Sequence, residues 1–260
     1  MAWRPENPRD TTIRRQVARV RYSCVELPPR TSDWARMSIE ERLQAVMVAP
    51  LERIVAPDQR KRPPAAAVER WEIPEKDRLA LAEWGLPTDL IMKPEFQHAT
   101  EPLLVPNVAA EQERRLIAAD QRLYHLGWWG SHDLTPKMGA VAGDGRVLGI
   151  RDAPVTAADL HPDLREVYAD LYQPAVMFLN SSMAQLVELA WRWRSAVAIF
   201  RDLHLQEPHH SRPEEEQHAH FARIKACERV VLAEVAAIDP AIDADDPDAL
   251  WVEVITDPGC

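Results

Sequence analysis

Five histidines close together in the sequence have the clearest capacity for chemistry: His204, His209, His210, His218 and His220. Glutamates accompany them, and imidazole with carboxylate groups can hold a catalytic zinc ion, so residues 204–220 raise the hypothesis of a metal-dependent hydrolase. His218 and His220 are two residues apart, however, and on a helix they would point to different faces. The spacing favours a solvated loop and helix start. We therefore expect no bound metal and no other cofactor.

A pair of adjacent tryptophans, Trp128 and Trp129, lies between Gly127 and Gly130. Large aromatic side chains exposed at a turn often anchor protein–protein contacts. Neighbouring residues of a strand point to opposite faces of the sheet, so we expect at least one of the two to pack in the core. The pair is a candidate partner-binding site, with burial as the competing interpretation.

Carboxylates are concentrated near the C-terminus, at Asp239, Asp243, Asp245, Asp246 and Asp248. The chain carries a formal charge of -10, and the charge is uneven: residues 1–65 hold 13 Lys/Arg and 8 Asp/Glu, whereas residues 66–260 hold 18 and 33. An anionic surface repels phosphate backbones, so nucleic acid is disfavoured as a direct partner. Such acidic runs are usually solvated, but they also suit a basic protein partner. The last four aspartates of the run are the candidate contacts.

Sequence motifs of nucleophilic, phosphate-binding and calcium-binding sites do not occur in the chain, which lacks GxSxG, HExxH, GxGxxG, GxxxxGK[ST] and EF-hand patterns. Cys24, Cys227 and Cys260 are odd in number and far apart, which fits neither a disulfide framework nor a paired metal site. Residues 1–22 lack the apolar stretch of a secretory signal, and no later segment could span a membrane. We expect a cytoplasmic protein without catalytic activity.

The N-terminal part contains one well-signalled helix. Ser38 and Glu41 have the spacing of a capping box, and an apolar face follows them. Residues 61–64 end in two prolines, which remove backbone donors and favour an extended linker. We therefore predict an N-terminal extension of residues 1–65, mainly helical or irregular, and a domain of residues 66–260.

The remainder of the chain alternates between strand and helix patterns. Short apolar runs between Gly, Pro and Asp predict strands at residues 103–108, 121–129, 138–142, 146–151 and 175–179. Residues 143–145, Gly-Asp-Gly, predict a hairpin turn. Residues 180–182, Asn-Ser-Ser, predict the cap of a long helix, and a second long helix follows Pro213. The pattern indicates an α+β fold.

From about Pro74 to Gly259 the order of these features resembles the SUKH superfamily, in particular its fourth subclass of actinomycete immunity proteins. The features that carry the resemblance are a helix ending in Trp84-Gly85-Leu86-Pro87, a strand at residues 123–127, the turn at residues 143–147, the strand-to-helix junction at residues 178–183, and the closing Ile238-Asp239-Pro240, Trp251 and Gly259.

This resemblance implies a mixed β-sheet flanked by helices, and an immunity protein that binds and neutralises a polymorphic toxin. Such toxins are commonly nucleases or otherwise active on nucleic acid, and the resemblance implies binding without catalytic residues. Two alternatives stay open. One is a non-catalytic interaction scaffold or regulator, and the other is the metal-dependent hydrolase at residues 204–220. No pattern in the sequence indicates an oligomeric state.

Overall fold

The computed structural model describes residues 34–89, 91–96, 100–130, 135–204 and 213–256. Its helices are α1 (Ile39–Met47), α2 (Leu51–Ile54), α3 (Ala65–Val68), α4 (Glu75–Glu83), α5 (Glu111–Leu116), α6 (Pro162–Arg165), α7 (Met183–His204), α8 (Glu214–Ile238) and α9 (Leu250–Thr256). Its strands are β1 (Arg60–Lys61), β2 (Leu86–Pro87), β3 (Met92–Pro94), β4 (Leu123–Trp129), β5 (Lys137–Val141), β6 (Val147–Ile150), β7 (Val155–Thr156), β8 (Tyr172–Gln173) and β9 (Val176–Asn180). The predicted α+β class is confirmed. Residues 1–33, His209, His210 and Gly259 lie outside the described residues.

The main sheet has the strand order β3-β4-β5-β6-β9, and each of its pairings is antiparallel. The expectation of a mixed sheet is wrong for the described strands. Two strands joined by a short turn pair antiparallel, and β5 and β6 are joined in this way by residues 142–146. The predicted hairpin between β5 and β6 is confirmed, with φ of +100° at Gly143 and +77° at Gly145, a conformation that favours glycine.

The predicted strand at residues 103–108 is reduced to one bridge between Leu104 and Leu123. Pro102 and Pro106 lack the N–H groups that a longer ladder would need. The fifth strand of the sheet is instead β3. At three residues it is too short to produce a recognisable pattern in the sequence.

Helix α7 is the centre of the core on one face of the sheet. It packs against α1, α4 and α8, so burial extends around most of its circumference, including Trp191 and Trp193. Arg192 is buried between them and donates to the carbonyl oxygens of Met47 and Ala49, at the C-terminal end of α1. The N-terminal helix α1 thus shares one core with α7 and α8. The division after residue 65 stays a prediction.

The other face of the sheet is covered by residues 104–117, which include α5. Apolar side chains there form a second cluster, made of Ile117, Leu123, Val141, Leu148, Ile150 and Val176. Helices therefore flank the sheet on both faces. Within the described ranges, no helix is both long and apolar enough to cross a bilayer.

The turn between β2 and β3 is held by Asp89. Its Oδ1 accepts hydrogen bonds from the backbone N–H groups of Ile91 at 3.0 Å and Met92 at 2.9 Å. Its Oδ2 lies 3.8 Å from the Arg194 guanidinium. Burial raises the pKa of Asp89 to about 6, and Arg194 with the two N–H groups opposes this rise.

Asp89 makes the folded protein bind a proton more tightly than the unfolded chain, whose aspartate has a pKa of 3.8. The resulting stabilisation is complete below the unfolded pKa and is lost as the pH rises through about 6. Relative to Asp89→Asn, which does not titrate, the wild type should lose up to about 3 kcal/mol of unfolding free energy between pH 4 and pH 7. Urea unfolding at several pH values measures this difference, and a constant difference would contradict the assignment.

Candidate functional site

A cleft of about 1040 Å³ lies beside β9, the last strand of the sheet. Its floor is formed by Val176, Met177 and Phe178. One wall comes from α5 and residues 171–174, and the other from residues 241–249 and the start of α9. Because the sheet ends at β9, the elements that cover its two faces leave the strand edge open between them.

The second wall is acidic. Asp243, Asp246 and Asp248 line the cleft together with Glu253. The loop turns back on itself because Asp243 Oδ1 accepts from the Asp245 N–H and Asp246 Oδ1 accepts from the Asp248 N–H, each at 3.0 Å. Asp245 is exposed on the same loop but does not line the cleft. The structure thus gathers three of the four predicted acidic contacts at one site.

Among the described residues that line the cleft, Arg151 is the one cation. It is half-buried, with Nη1 3.4 Å from the Pro174 carbonyl oxygen and 3.6 Å from Met177 Sδ. Burial lowers the pKa of Arg151, and the nearby Glu253 carboxylate opposes that shift. The described lining residues include four carboxylates and this one guanidinium, so together they carry a net negative charge.

Asp239 is buried and does not belong to the acidic surface, which corrects its grouping with the other aspartates. Its carboxylate accepts from Asn180 Nδ2 at 3.0 Å, and from the Ser181 N–H and Ser181 Oγ, each at 2.7 Å. Asn180 Oδ1 in turn accepts from Trp251 Nε1 at 3.1 Å. The acidic loop is therefore fixed at both ends, by Asp239 before it and Trp251 after it. Of the predicted cap residues, Ser182 caps α7 by accepting from the Gln185 N–H.

Glu113 of α5 fixes the other wall. Its Oε1 accepts from the Tyr172 hydroxyl at 2.9 Å and from the Ala175 N–H at 3.0 Å, and its second oxygen accepts from the Ala110 N–H. Burial is the largest effect on Glu113 and opposes ionisation, but these hydrogen bonds together lower its pKa. Sequence reasoning missed this residue. The one sequence feature that could have indicated Glu113 is its place as an acidic side chain at the third position of a short helix.

The chain matches the SUKH-4 immunity protein family over residues 46–257. It belongs to that family. The match begins before Pro74, where the resemblance was expected to begin, and takes in the end of α1. All the residues that shape the cleft fall within it. No curated protein and no solved structure matches the chain.

Neither tryptophan of the pair in this SUKH-4 chain lines the cleft. Trp129 is 4% exposed and packs edge-on against Trp251, with ring centroids 4.9 Å apart, so it belongs to the core. Trp128 is half-buried, with Lys137 Nζ 5.5 Å from its ring centroid. Two strands separate β4 from β9, which places their backbones about 14 Å apart. Trp128 and the acidic loop are therefore separate candidate contacts.

The histidine region shows no assembled metal site in the described part of the chain, where no group of three or more His, Cys, Asp or Glu residues could hold an ion. His218 is exposed and pairs with Glu214 at 3.5 Å. His209 and His210 lie outside the described residues.

Burial raises the pKa of the Cys227 thiol to about 11, which leaves it a poor nucleophile near neutral pH.

Exposed large side chains, most of them apolar, lie in residues 164–172, the segment next to the cleft wall that Glu113 holds in place. Leu164, Val167, Tyr168 and Tyr172 are between 39% and 74% exposed. Tyr172 also lines the cleft. Apolar and tyrosine side chains beside a charged rim are typical of protein-binding surfaces.

The Asp239→Asn variant should lose about 3 kcal/mol of unfolding free energy, because an amide in this buried position cannot accept the same hydrogen bonds. Urea unfolding measures the loss. Asp245→Asn is the matched control, since it removes the same charge from an exposed side chain of the adjoining loop and should change stability by less than about 0.5 kcal/mol. Equal losses in the two variants would show that Asp239 has no special structural role.

Proposed function

We propose that this chain is an immunity protein that binds a protein toxin at the cleft beside β9 and neutralises it by direct contact. Membership of the SUKH-4 immunity protein family supports the role. The observation that supports the location is the lining of the cleft, in which four carboxylates outnumber one guanidinium. Complementary charge speeds the encounter of two proteins and disfavours wrong partners.

The proposed partner has a basic surface and acts on nucleic acid, as a nuclease does. An enzyme of that kind needs cationic side chains to hold phosphate groups. The aspartates of the acidic wall, Asp243, Asp246 and Asp248, present carboxylates to such side chains in place of phosphates. Neutralisation then needs no catalysis by the immunity protein, and it takes place in the cytoplasm.

The direct test is co-expression with the toxin domain encoded beside this chain. We expect the toxin alone to stop growth, the chain to restore it, and the two proteins to elute together from a size-exclusion column. Lethality that persists together with separate elution would refute the immunity role. If several host proteins were captured with no protection from the toxin, the interaction scaffold would be the better reading.

The combined change of Asp243, Asp246 and Asp248 to Asn should slow association with the toxin about tenfold at low ionic strength and flatten its salt dependence. Asparagine keeps the side-chain oxygens that the loop turns require. Stopped-flow association at several salt concentrations measures the rates.

The matched control changes Glu214, Glu215 and Glu216 to Gln. These exposed residues carry the same total charge at the N-terminal end of α8, a helix about 36 Å long, whereas the acidic loop follows its C-terminal end. The control should associate at nearly the wild-type rate. Equal slowing by both triple variants would show that overall charge, and not the cleft, steers the toxin.

A further inference from the structure

The two edges of the main sheet differ in whether they can pair with another strand. At the β3 edge, Met92 uses its outward N–H and carbonyl groups in hydrogen bonds with Asp89, and Pro94 has no N–H to offer. Lys93 lies between them. Prolines, lysines and local hydrogen bonds are the usual means of closing a sheet edge.

In the part of the chain that the structure describes, the β9 edge has none of these closing features. The Arg151 N–H donates to the Ala175 carbonyl oxygen at 2.7 Å, and Gly149 lies opposite Met177. The antiparallel alternation then turns the N–H and carbonyl groups of Val176 and Phe178 away from β6. Among the described strands, none pairs with that side of β9. The groups face the cleft, whose floor is the uncharged run Val176–Met177–Phe178.

The two walls of the cleft lie on opposite faces of the sheet and differ in chemistry. The acidic loop and Trp251 are on the face packed by α7 and α8, whereas Leu116 and Tyr172 are on the face covered by α5. Side chains of an added strand would alternate between these two faces. One set would meet carboxylates and the other would meet apolar and aromatic groups.

We propose that the cleft takes an extended segment of the toxin, which pairs with the outer edge of β9 through its backbone and points Lys or Arg side chains, at every second residue, toward the acidic wall. This inference rests on the proposed function and specifies how the partner is held. Strand addition supplies affinity through main-chain hydrogen bonds and specificity through alternate side chains. β9 has five residues, or about 17 Å, so the paired segment is about five residues long and carries two or three cations.

Hydrogen exchange followed by NMR tests the pairing, in the full chain alone and in complex with the catalytically inactivated toxin domain encoded beside it. The amides of Val176 and Phe178 should exchange at least tenfold more slowly in the complex. The Met177 amide, which faces β6 already, should change little. Unchanged exchange at Val176 and Phe178 in an intact complex would overturn strand addition and leave the immunity function standing.

The same experiment detects a competing occupant, because the chain itself carries arginines at positions 14, 15, 19 and 21. If Val176 and Phe178 are already protected in the chain alone and the protection disappears when Arg14, Arg15, Arg19 and Arg21 are changed to Ser, the edge belongs to the chain's own N-terminal segment. That result would overturn the proposal.

A pair of variants gives an independent readout. Val176→Pro removes the outward N–H and places a ring where the added strand would lie, whereas Val176→Ala shortens the side chain and keeps the N–H. We expect Val176→Pro to bind the inactive toxin domain at least tenfold more weakly than Val176→Ala in titration calorimetry. Equal affinity of the two folded variants would contradict backbone pairing. Should Val176→Pro fail to fold, the exchange measurement decides alone.

Discussion

The hydrogen-bonded group of Asn180, Ser181, Asp239 and Trp251 is the constraint on which the site depends. It joins Asn180 to Asp239, 59 positions later in the sequence, and to Trp251, 71 positions later. A buried carboxylate is costly unless several donors satisfy it, and Asp239 has four, from Asn180, Ser181 and Ala241. The end of β9, the start of α7, the end of α8 and α9 therefore share one fixed geometry. The acidic loop lies between two of these anchors, so its place beside the β9 edge follows from them.

The cleft has a buried carboxylate behind each wall and exposed carboxylates on one wall only. Glu113 holds residues 172–175 to α5 on one side, as Asp239 holds the loop on the other. The hydrogen-bonding capacity of these two groups is used within the fold. Asp243 and Asp246 each accept a loop hydrogen bond with one carboxylate oxygen, and both side chains are exposed. Acidic residues that look alike in composition thus divide into a buried, hydrogen-bonded group and an exposed group.

That division marks the limit of sequence reasoning. The α1 capping box, the hairpin at residues 143–145 and helices α7 and α8 were predictable because their signals are local. The antiparallel order of the sheet, the short strand β3 and the burial of Asp239 depend on residues far apart in the chain. In the sequence Asp239 resembles its exposed neighbours, because three of its four donors come from residues about 60 positions earlier. The sequence could assign one tryptophan of the Trp128–Trp129 pair to the core, but it could not say that this one is Trp129.

The acidic wall also bears on how an open strand edge can be tolerated. An unprotected edge can pair with the same edge of another copy, which leads to aggregation. Two copies joined edge to edge through β9 would bring two acidic loops together, and carboxylates such as Asp246 and Asp248 would repel one another across the junction. The charge that we propose to attract a basic segment would therefore also disfavour self-association through β9. One feature can give both properties, which explains why an edge without lysine or proline is compatible with a stable fold.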